Sequence, residues 1–148
     1  MPKFLNMNIR KATMNDEPRI TELLNQLGYP GTESFLLEKM QVISNSPNSE
    51  LFVYEKDQKV IAVISMNFVP QLALKGDFAR ISYMAVDAFE RSNGVGKELE
   101  ELCVSLARTR NCERIEVHCN ERRLDAHRFY IRQGYYESPK YFVKKLDR

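Results

Sequence analysis

The stretch Val86-Asp87-Ala88-Phe89-Glu90-Arg91-Ser92-Asn93-Gly94-Val95-Gly96-Lys97 carries residue types that can hold phosphate. Gly94 and Gly96 let the chain turn and let a ligand come close to the backbone. A helix beginning at Gly94 leaves its first-turn N–H groups without intrahelical partners. Together with the helix dipole they form an anion site. Arg91 adds a forked cation. Two other phosphate-binding patterns are not met. A P-loop requires Gly where Arg91 stands and Ser or Thr where Glu98 stands. A dinucleotide fingerprint requires Gly at Leu99. Taken alone, the glycine pair also fits a plain turn at a helix start.

Other chemistry is sparse. The cysteines are Cys103, Cys112 and Cys119, an odd count with no C-x-x-C pair. That excludes a disulfide framework or a zinc–cysteine site and suits a reducing compartment. Cys119 shares the apolar side of its segment with Ile115 and Val117, where a thiol is inert. His118 and His127 are the only histidines, so no metal site is expected.

Charge is almost balanced, with 22 Lys+Arg against 20 Asp+Glu and a pI of about 8.4. This falls short of a nucleic-acid footprint. The longest apolar run, Val60–Ser65, is far below the ~20 residues of a membrane helix. Met1–Asn6 has no hydrophobic signal core. The expectation is a soluble cytoplasmic protein with neither nucleic-acid nor membrane partners. Its 148 residues suit a single domain, 1–148, with residues 1–6 a loose terminus.

The elements that must position the loop follow from periodicity. Asn8–Ala12 reads as a strand. From Asp16 to Leu27, Ile20, Leu23, Leu24 and Leu27 form one apolar helix face, stopped by Gly28 and Pro30. Thr32 is the expected N-cap of a second helix carrying Phe35, Leu36, Met40 and Ile43. Leu51–Glu55 and Val60–Val69 are strands joined by a tight turn at Asp57-Gln58-Lys59. Val60–Val69 is apolar on both faces and so should be a central strand. Phe78–Val86 follows as a strand, Gly94–Thr109 as a helix, and Glu113–Asn120 as an alternating strand. Leu124–Gln133 is a short helix closed by Gly134. Tyr135–Tyr136 and Tyr141–Lys145 read as a final hairpin through Ser138-Pro139. The order βααβββαβαββ gives an α/β (α+β) fold. Its mixed, mostly antiparallel sheet has about seven strands with helices on both faces, and the crossover helix makes strands 4 and 5 parallel.

The spacing V-x4-R-x-x-G-x-G between strand and helix resembles the pyrophosphate loop of the GNAT N-acetyltransferase superfamily. Ala126-His127-Arg128-Phe129-Tyr130-Ile131-Arg132-Gln133-Gly134-Tyr135 resembles that superfamily's A-x-x-F-Y-x-x-x-G-[FY] ending. The element order matches as well, and the resemblance spans residues 8–146.

The resemblance implies a sheet splayed between strands 4 and 5, with acetyl-CoA as co-substrate in the gap. Backbone groups of Met84, Ala85 and Val86 would pair with the pantetheine arm, at an edge opened by a bulge near Tyr83. Arg91, Ser92, Asn93, Gly94, Val95, Gly96 and Lys97 would hold the pyrophosphate, and Asn120 would bond the pantetheine. Acetyl passes directly to an amine, and Tyr130, at the family's tyrosine position, protonates the departing thiolate. Tyr130 also suits a core aromatic. Many members carry a carboxylate shortly before the loop. Here Arg80-Ile-Ser82-Tyr83-Met84 has none, so Glu116 or His118 would serve as a water-relayed base, beside Tyr83 on the acceptor side. Either could equally be a solvent-facing side chain, and His127 suits a structural role. Asp125-Ala-His-Arg-Phe-Tyr resembles the aminoalkylphosphonate and small-amine branch. That implies a small primary amine, with Arg80 or Arg122–Arg123 available for an anionic head. A protein or peptide amine, a polyamine or an aminoglycoside is an alternative acceptor. A non-catalytic acetyl-CoA-binding regulatory module and a nucleotide-binding protein are alternatives of other classes. A homodimer is implied at family level.

Overall fold

The computed structural model describes residues 6–119, 123–138 and 141–146. They fall in two compact units, Met1–His118 and Cys119–Arg148.

The larger unit is built on a five-stranded sheet in the order β1 (Ile9–Lys11), β2 (Ser49–Lys56), β3 (Lys59–Val69), β4 (Asp77–Val86), β5 (Cys112–Val117). Every pair is antiparallel except β4–β5, which is parallel. β2 and β3 join through Asp57 (φ 51°) and Gln58 (φ 64°), the left-handed pair that matches the twist of a two-residue hairpin. β4 reaches β5 only by way of α3 (Val95–Thr109), as a parallel connection requires.

Helices cover both faces. On one, α1 (Glu17–Leu27) and α2 (Leu36–Asn45) bury Ile20, Leu23, Leu36 and Met40 against Val53, Val63 and Ala85. On the other, Tyr54 of β2 hydrogen-bonds Glu98 of α3, which places α3 on the side of Phe52, Ile64 and Met66. Leu99 and Cys103 of α3 are fully buried. β3 lies between these layers, which is why its apolar run has no polar alternation. Gly76 admits close approach at the head of β4. A Cβ there would lie 3.1 Å from the Asn111 carbonyl oxygen and 3.2 Å from Glu113 Cβ.

Three expectations are corrected. The sheet of the described residues has five strands, not about seven. Residues 135–138 and 141–146 join no ladder, and Tyr136 and Phe142 are 87% and 94% exposed. Aromatic and β-branched residues favour extended backbone, but a strand exists only with a partner to bond. Pro139, at the expected turn, lies outside the described residues. The strand expected to run to Asn120 ends at Val117. Thr32 does not cap α2. It opens a 3-10 turn, Thr32–Ser34, and α2 starts after Phe35 without a side-chain cap.

The smaller unit carries α4 (Leu124–Arg132), followed by Gly134 at φ 95°. The rings of Phe129 and Tyr130 meet edge-on at 5.1 Å, and those of Tyr130 and Tyr135 at 5.4 Å.

Candidate active site

The sheet opens on β4. Along β3, Ser65 faces Tyr83 but the next residue, Met66, faces Ile81, so Ser82 is an extra residue bulged out of the ladder. On the opposite edge, the parallel pairing with β5 ends at Ile81 and Val117. Beyond it, Tyr83–Val86 pairs with β3 and, among the described residues, with no other strand. The backbone groups of Met84, Ala85 and Val86 that point away from β3 therefore belong to an open strand edge. An extended ligand rich in amides can add to such an edge as a strand would.

This edge runs directly into the glycine loop. Asp87 accepts the Phe89 N–H at 2.9 Å and starts the 3-10 turn Ala88–Glu90. Arg91 is extended, Ser92 (φ 70°) and Gly94 (φ 82°) are left-handed, and α3 begins at Val95. The first helical bond is donated by Glu98 to the Gly94 carbonyl at 3.1 Å. The amides of Val95, Gly96 and Lys97 thus stay outside the helical ladder, at the positive end of a 15-residue helix. Val95 is buried and anchors the turn, while Arg91, Ser92, Asn93, Gly94 and Lys97 face solvent. A Cβ on Gly94 would meet nothing within 4 Å, so the hollow above it is open. These features fit a pyrophosphate held by backbone amides.

Sequence reasoning missed what fixes this loop. Asp87 is 5% exposed and accepts from Arg19 Nη2 at 2.8 Å. Arg19, on α1, also donates through Nε to the Val60 carbonyl at 2.8 Å. The Ala88 N–H bonds the Gln26 side chain at 2.9 Å. The Arg19 bond first, and the Phe89 amide after it, hold the Asp87 carboxyl below its ordinary range. An Asp ahead of a short turn is a legible cap. Its guanidinium partner, 68 residues earlier, left no local signal.

On the face that α1 and α2 cover farther along, a polar patch borders the opening. Tyr83 meets Tyr29 edge-on at 5.4 Å, and each is about half exposed. Ser82 donates its hydroxyl to Asn67, which donates in turn to Ser49. Glu116, opposite Arg80 in the ladder, accepts from Arg114 at 2.7 and 2.8 Å and from Arg80 at 3.3 Å. Burial alone would raise the Glu116 carboxyl, but the Arg114 and Arg80 bonds outweigh it and hold it below its ordinary range. So held, it is ionised but a weak proton acceptor. His118 follows the end of β5 and is exposed.

Tyr130 lies on α4 in the smaller unit, half buried between Phe129 and Tyr135. The Tyr135 N–H bonds the Tyr130 carbonyl at 3.0 Å, closing the turn after the helix. Asn120 and Arg122 lie outside the described residues. Among the described residues, no group of three or more His, Cys, Asp or Glu is placed to hold a metal ion.

The model of the Acetyltransferase (GNAT) family matches residues 17–135. The chain belongs to this family. Its members use acetyl-CoA as the acetyl donor, and the chain is an acyltransferase. It is 27% identical over 143 residues to the aminoalkylphosphonate N-acetyltransferase of Salmonella typhimurium, covering 93% of this chain and 90% of that one. The fold is shared with a transcriptional regulator from Bacillus halodurans, at a TM-score of 0.85 and 22% identity, covering 93% of this chain and 98% of that one. It is shared also with an aminoglycoside acetyltransferase from an uncultured soil metagenomic sample, at a TM-score of 0.74 and 21% identity, covering 94% and 95%. Among the described residues, no helix is long and apolar enough to cross a membrane.

Proposed function

We propose that this GNAT acetyltransferase transfers acetyl directly from acetyl-CoA to the primary amine of a small molecule. The observation that carries the reading is the continuity of the open β4 edge, Ser82–Val86, with the amide-lined start of α3. An extended arm laid on that edge brings its pyrophosphate end to Arg91–Lys97 and its thioester end to the bulge at Ser82. In this reading Met84, Ala85 and Val86 bond the pantetheine amides, and Asn120 bonds the same arm. Acetyl-CoA supplies the activated acetyl thioester.

The rest falls to the chain's own groups. Tyr83 and Tyr29 wall the acceptor side. The acceptor nitrogen forms a C–N bond at the thioester carbonyl, the C–S bond breaks, and the sulfur takes a proton. Tyr130 is the general acid for that proton, since a phenol near ~10 can protonate a thiolate near ~8.5 in a dry site. The nitrogen loses its own proton through water. His118 is the better relay, because Glu116 is already held by two guanidiniums. Relatives acting on aminoalkylphosphonates and aminoglycosides support a small amine as the acceptor.

The test is mass spectrometry of free CoA and acetylated products. The protein is mixed with acetyl-CoA and a pool of aminoalkylphosphonates, polyamines, amino acids and aminoglycosides. CoA release with one acetylated amine, lost in Tyr130→Phe, establishes the reading. Tight acetyl-CoA binding with no acetylated amine overturns it in favour of a protein acceptor or a regulatory module.

A further inference from the structure

Arg80 stands apart from the other guanidiniums of the described sheet. Its Nε is buried with no hydrogen-bond partner among the described residues. Among the described residues its one ion-pair contact is the long 3.3 Å bond from Nη2 to Glu116. Glu116 is held far more closely by Arg114, which reaches it through both Nε and Nη2. Arg80 and Arg114 both lie 5.3–5.4 Å from the centre of the Phe78 ring. Arg114 also meets Glu113 at 3.6 Å, so the cluster of two arginines and two glutamates is balanced in charge, and Arg80 is the guanidinium whose donors the carboxylates use least. A guanidinium offers five N–H donors. A buried donor left unmade is costly enough to call for a partner.

The position gives those unused donors a purpose. Arg80 is two residues before the bulged Ser82 on β4, about 7 Å along a strand. It shares the face of Asn67, which takes the Ser82 hydroxyl, and it borders the place where β4 and β5 part. The neutral groups there are already paired with one another, Ser82 to Asn67 and Asn67 to Ser49. The Arg80 Nε has no partner among the described residues, and 38% of its side chain is accessible.

We infer that Arg80 is the specificity residue of the acceptor site. It binds an anionic group, a phosphonate, phosphate or carboxylate, carried a short alkyl chain away from the reacting amine. With the acyl-transfer reading, on which this rests, the acceptor is a zwitterion. Its amine end lies at the bulge beside Tyr83 and its anionic end lies at Arg80. A planar guanidinium suits such oxyanions in paired, forked contacts, which a lysine cannot reproduce. A dianionic head gains more than a carboxylate. A polycationic acceptor is disfavoured at the same spot.

The experiment compares four amines of similar length: 2-aminoethylphosphonate, O-phosphoethanolamine, β-alanine and propylamine. Each is run on the wild type, Arg80→Gln and Arg80→Lys, with acetyl-CoA affinity measured separately by calorimetry. The expected result is a KM for the phosphonate and phosphate at least tenfold higher in Arg80→Gln. The rise should be smaller for β-alanine and absent for propylamine, with acetyl-CoA affinity unchanged. Arg80→Lys should recover only part of the loss. An equal change for all four amines, or none, overturns the inference and leaves the acyl-transfer reading standing. NMR of the Arg80 Nε signal during titration with ethylphosphonate reads the anion site without turnover. A shift that saturates, in a protein that acetylates no small amine, would keep the anion site and refute the reaction. No shift together with no turnover would refute both.

Discussion

The Arg19–Asp87 pair should govern both the stability of the larger unit and the hold of its loop on acetyl-CoA. The pair measures 2.8 Å, and the side chains are 20% and 6% exposed. Breaking a fully buried pair by removing one partner costs roughly 3–5 kcal/mol. In Arg19→Met the Asp87 carboxylate keeps the Phe89 N–H, and Arg19 is a fifth solvated already, so about 2–3 kcal/mol is the better figure. For a chain of this size that lowers Tm by about 4–12 °C. The sign with pH follows from the depressed carboxyl of Asp87. A group whose folded pKa lies below its unfolded value stabilises fully above the unfolded pKa, near ~3.9, and loses that contribution as pH falls through the folded one. The Tm gap between wild type and Arg19→Met should thus be constant at neutral pH and close in acid below about pH 4. Calorimetric scans at pH 7, 5 and 3.5 measure it, with acetyl-CoA titrations at pH 7 alongside. Asp87→Asn keeps an acceptor for Phe89 and Arg19 and should lose only about 1 kcal/mol. A gap that does not shrink in acid, or wild-type Tm in Arg19→Met, would refute the reasoning.

Tyr130→Phe should lower kcat by about 100-fold with acetyl-CoA affinity unchanged, as loss of a general acid requires; stopped-flow CoA release and calorimetry read the two separately. Gly94→Val should weaken acetyl-CoA binding about tenfold or more. The left-handed φ of 82° strains a β-branched residue by roughly 1–2 kcal/mol, and the new side chain enters the open hollow; titration calorimetry checks it. Tyr54→Phe leaves the Glu98 carboxylate without the bond that the Tyr54 hydroxyl donates at 2.8 Å, a loss of about 1–2 kcal/mol in urea unfolding. Leu99→Ala, at a fully buried position of α3, should lose about 2–5 kcal/mol in the same assay.

What was legible in the sequence was whatever local pattern determines. The two-sided apolar run of β3, the amphipathic faces of α1 and α3, the turn at Asp57-Gln58 and the helix start at Gly94 lie within a residue or two of expectation. Each is fixed by periodicity or by φ within a single segment. The loop of the candidate site was legible for the same reason, since strand, glycine turn and helix start are contiguous. Contacts across long sequence separations were not. Arg19 reads as one more solvent-side charge on α1 until β4 brings Asp87 to it. Glu116 reads as a free carboxylate until the parallel ladder sets it beside Arg80 and Arg114. The final hairpin failed differently. Tyr135–Tyr136 and Tyr141–Lys145 have strand-like composition, but composition cannot state whether an edge is available to bond them.

The opening of the sheet depends on two separate features, and the proposed chemistry on their meeting at one place. The extra residue at Ser82 turns β4 within its antiparallel ladder to β3, while β5 stops bonding β4 one residue earlier, at Val117. Either alone would leave the edge closed or straight: a bulge with continued β5 pairing keeps Met84–Val86 bonded, and an early end of β5 without the bulge leaves a straight edge. Together they release a run of backbone that leads through Asp87 and the short Ala88–Glu90 turn into the free amides of α3. Arg19 and Gln26 then tie that lead-in to α1, whose C-terminal end carries the chain to Tyr29 beside Tyr83. In the proposed reading, the loop that takes the donor and the wall that faces the acceptor are thereby fastened to one helix. A substitution that loosens α1 should disturb cofactor affinity and acceptor KM together, whereas one at Arg80 should move the acceptor KM alone.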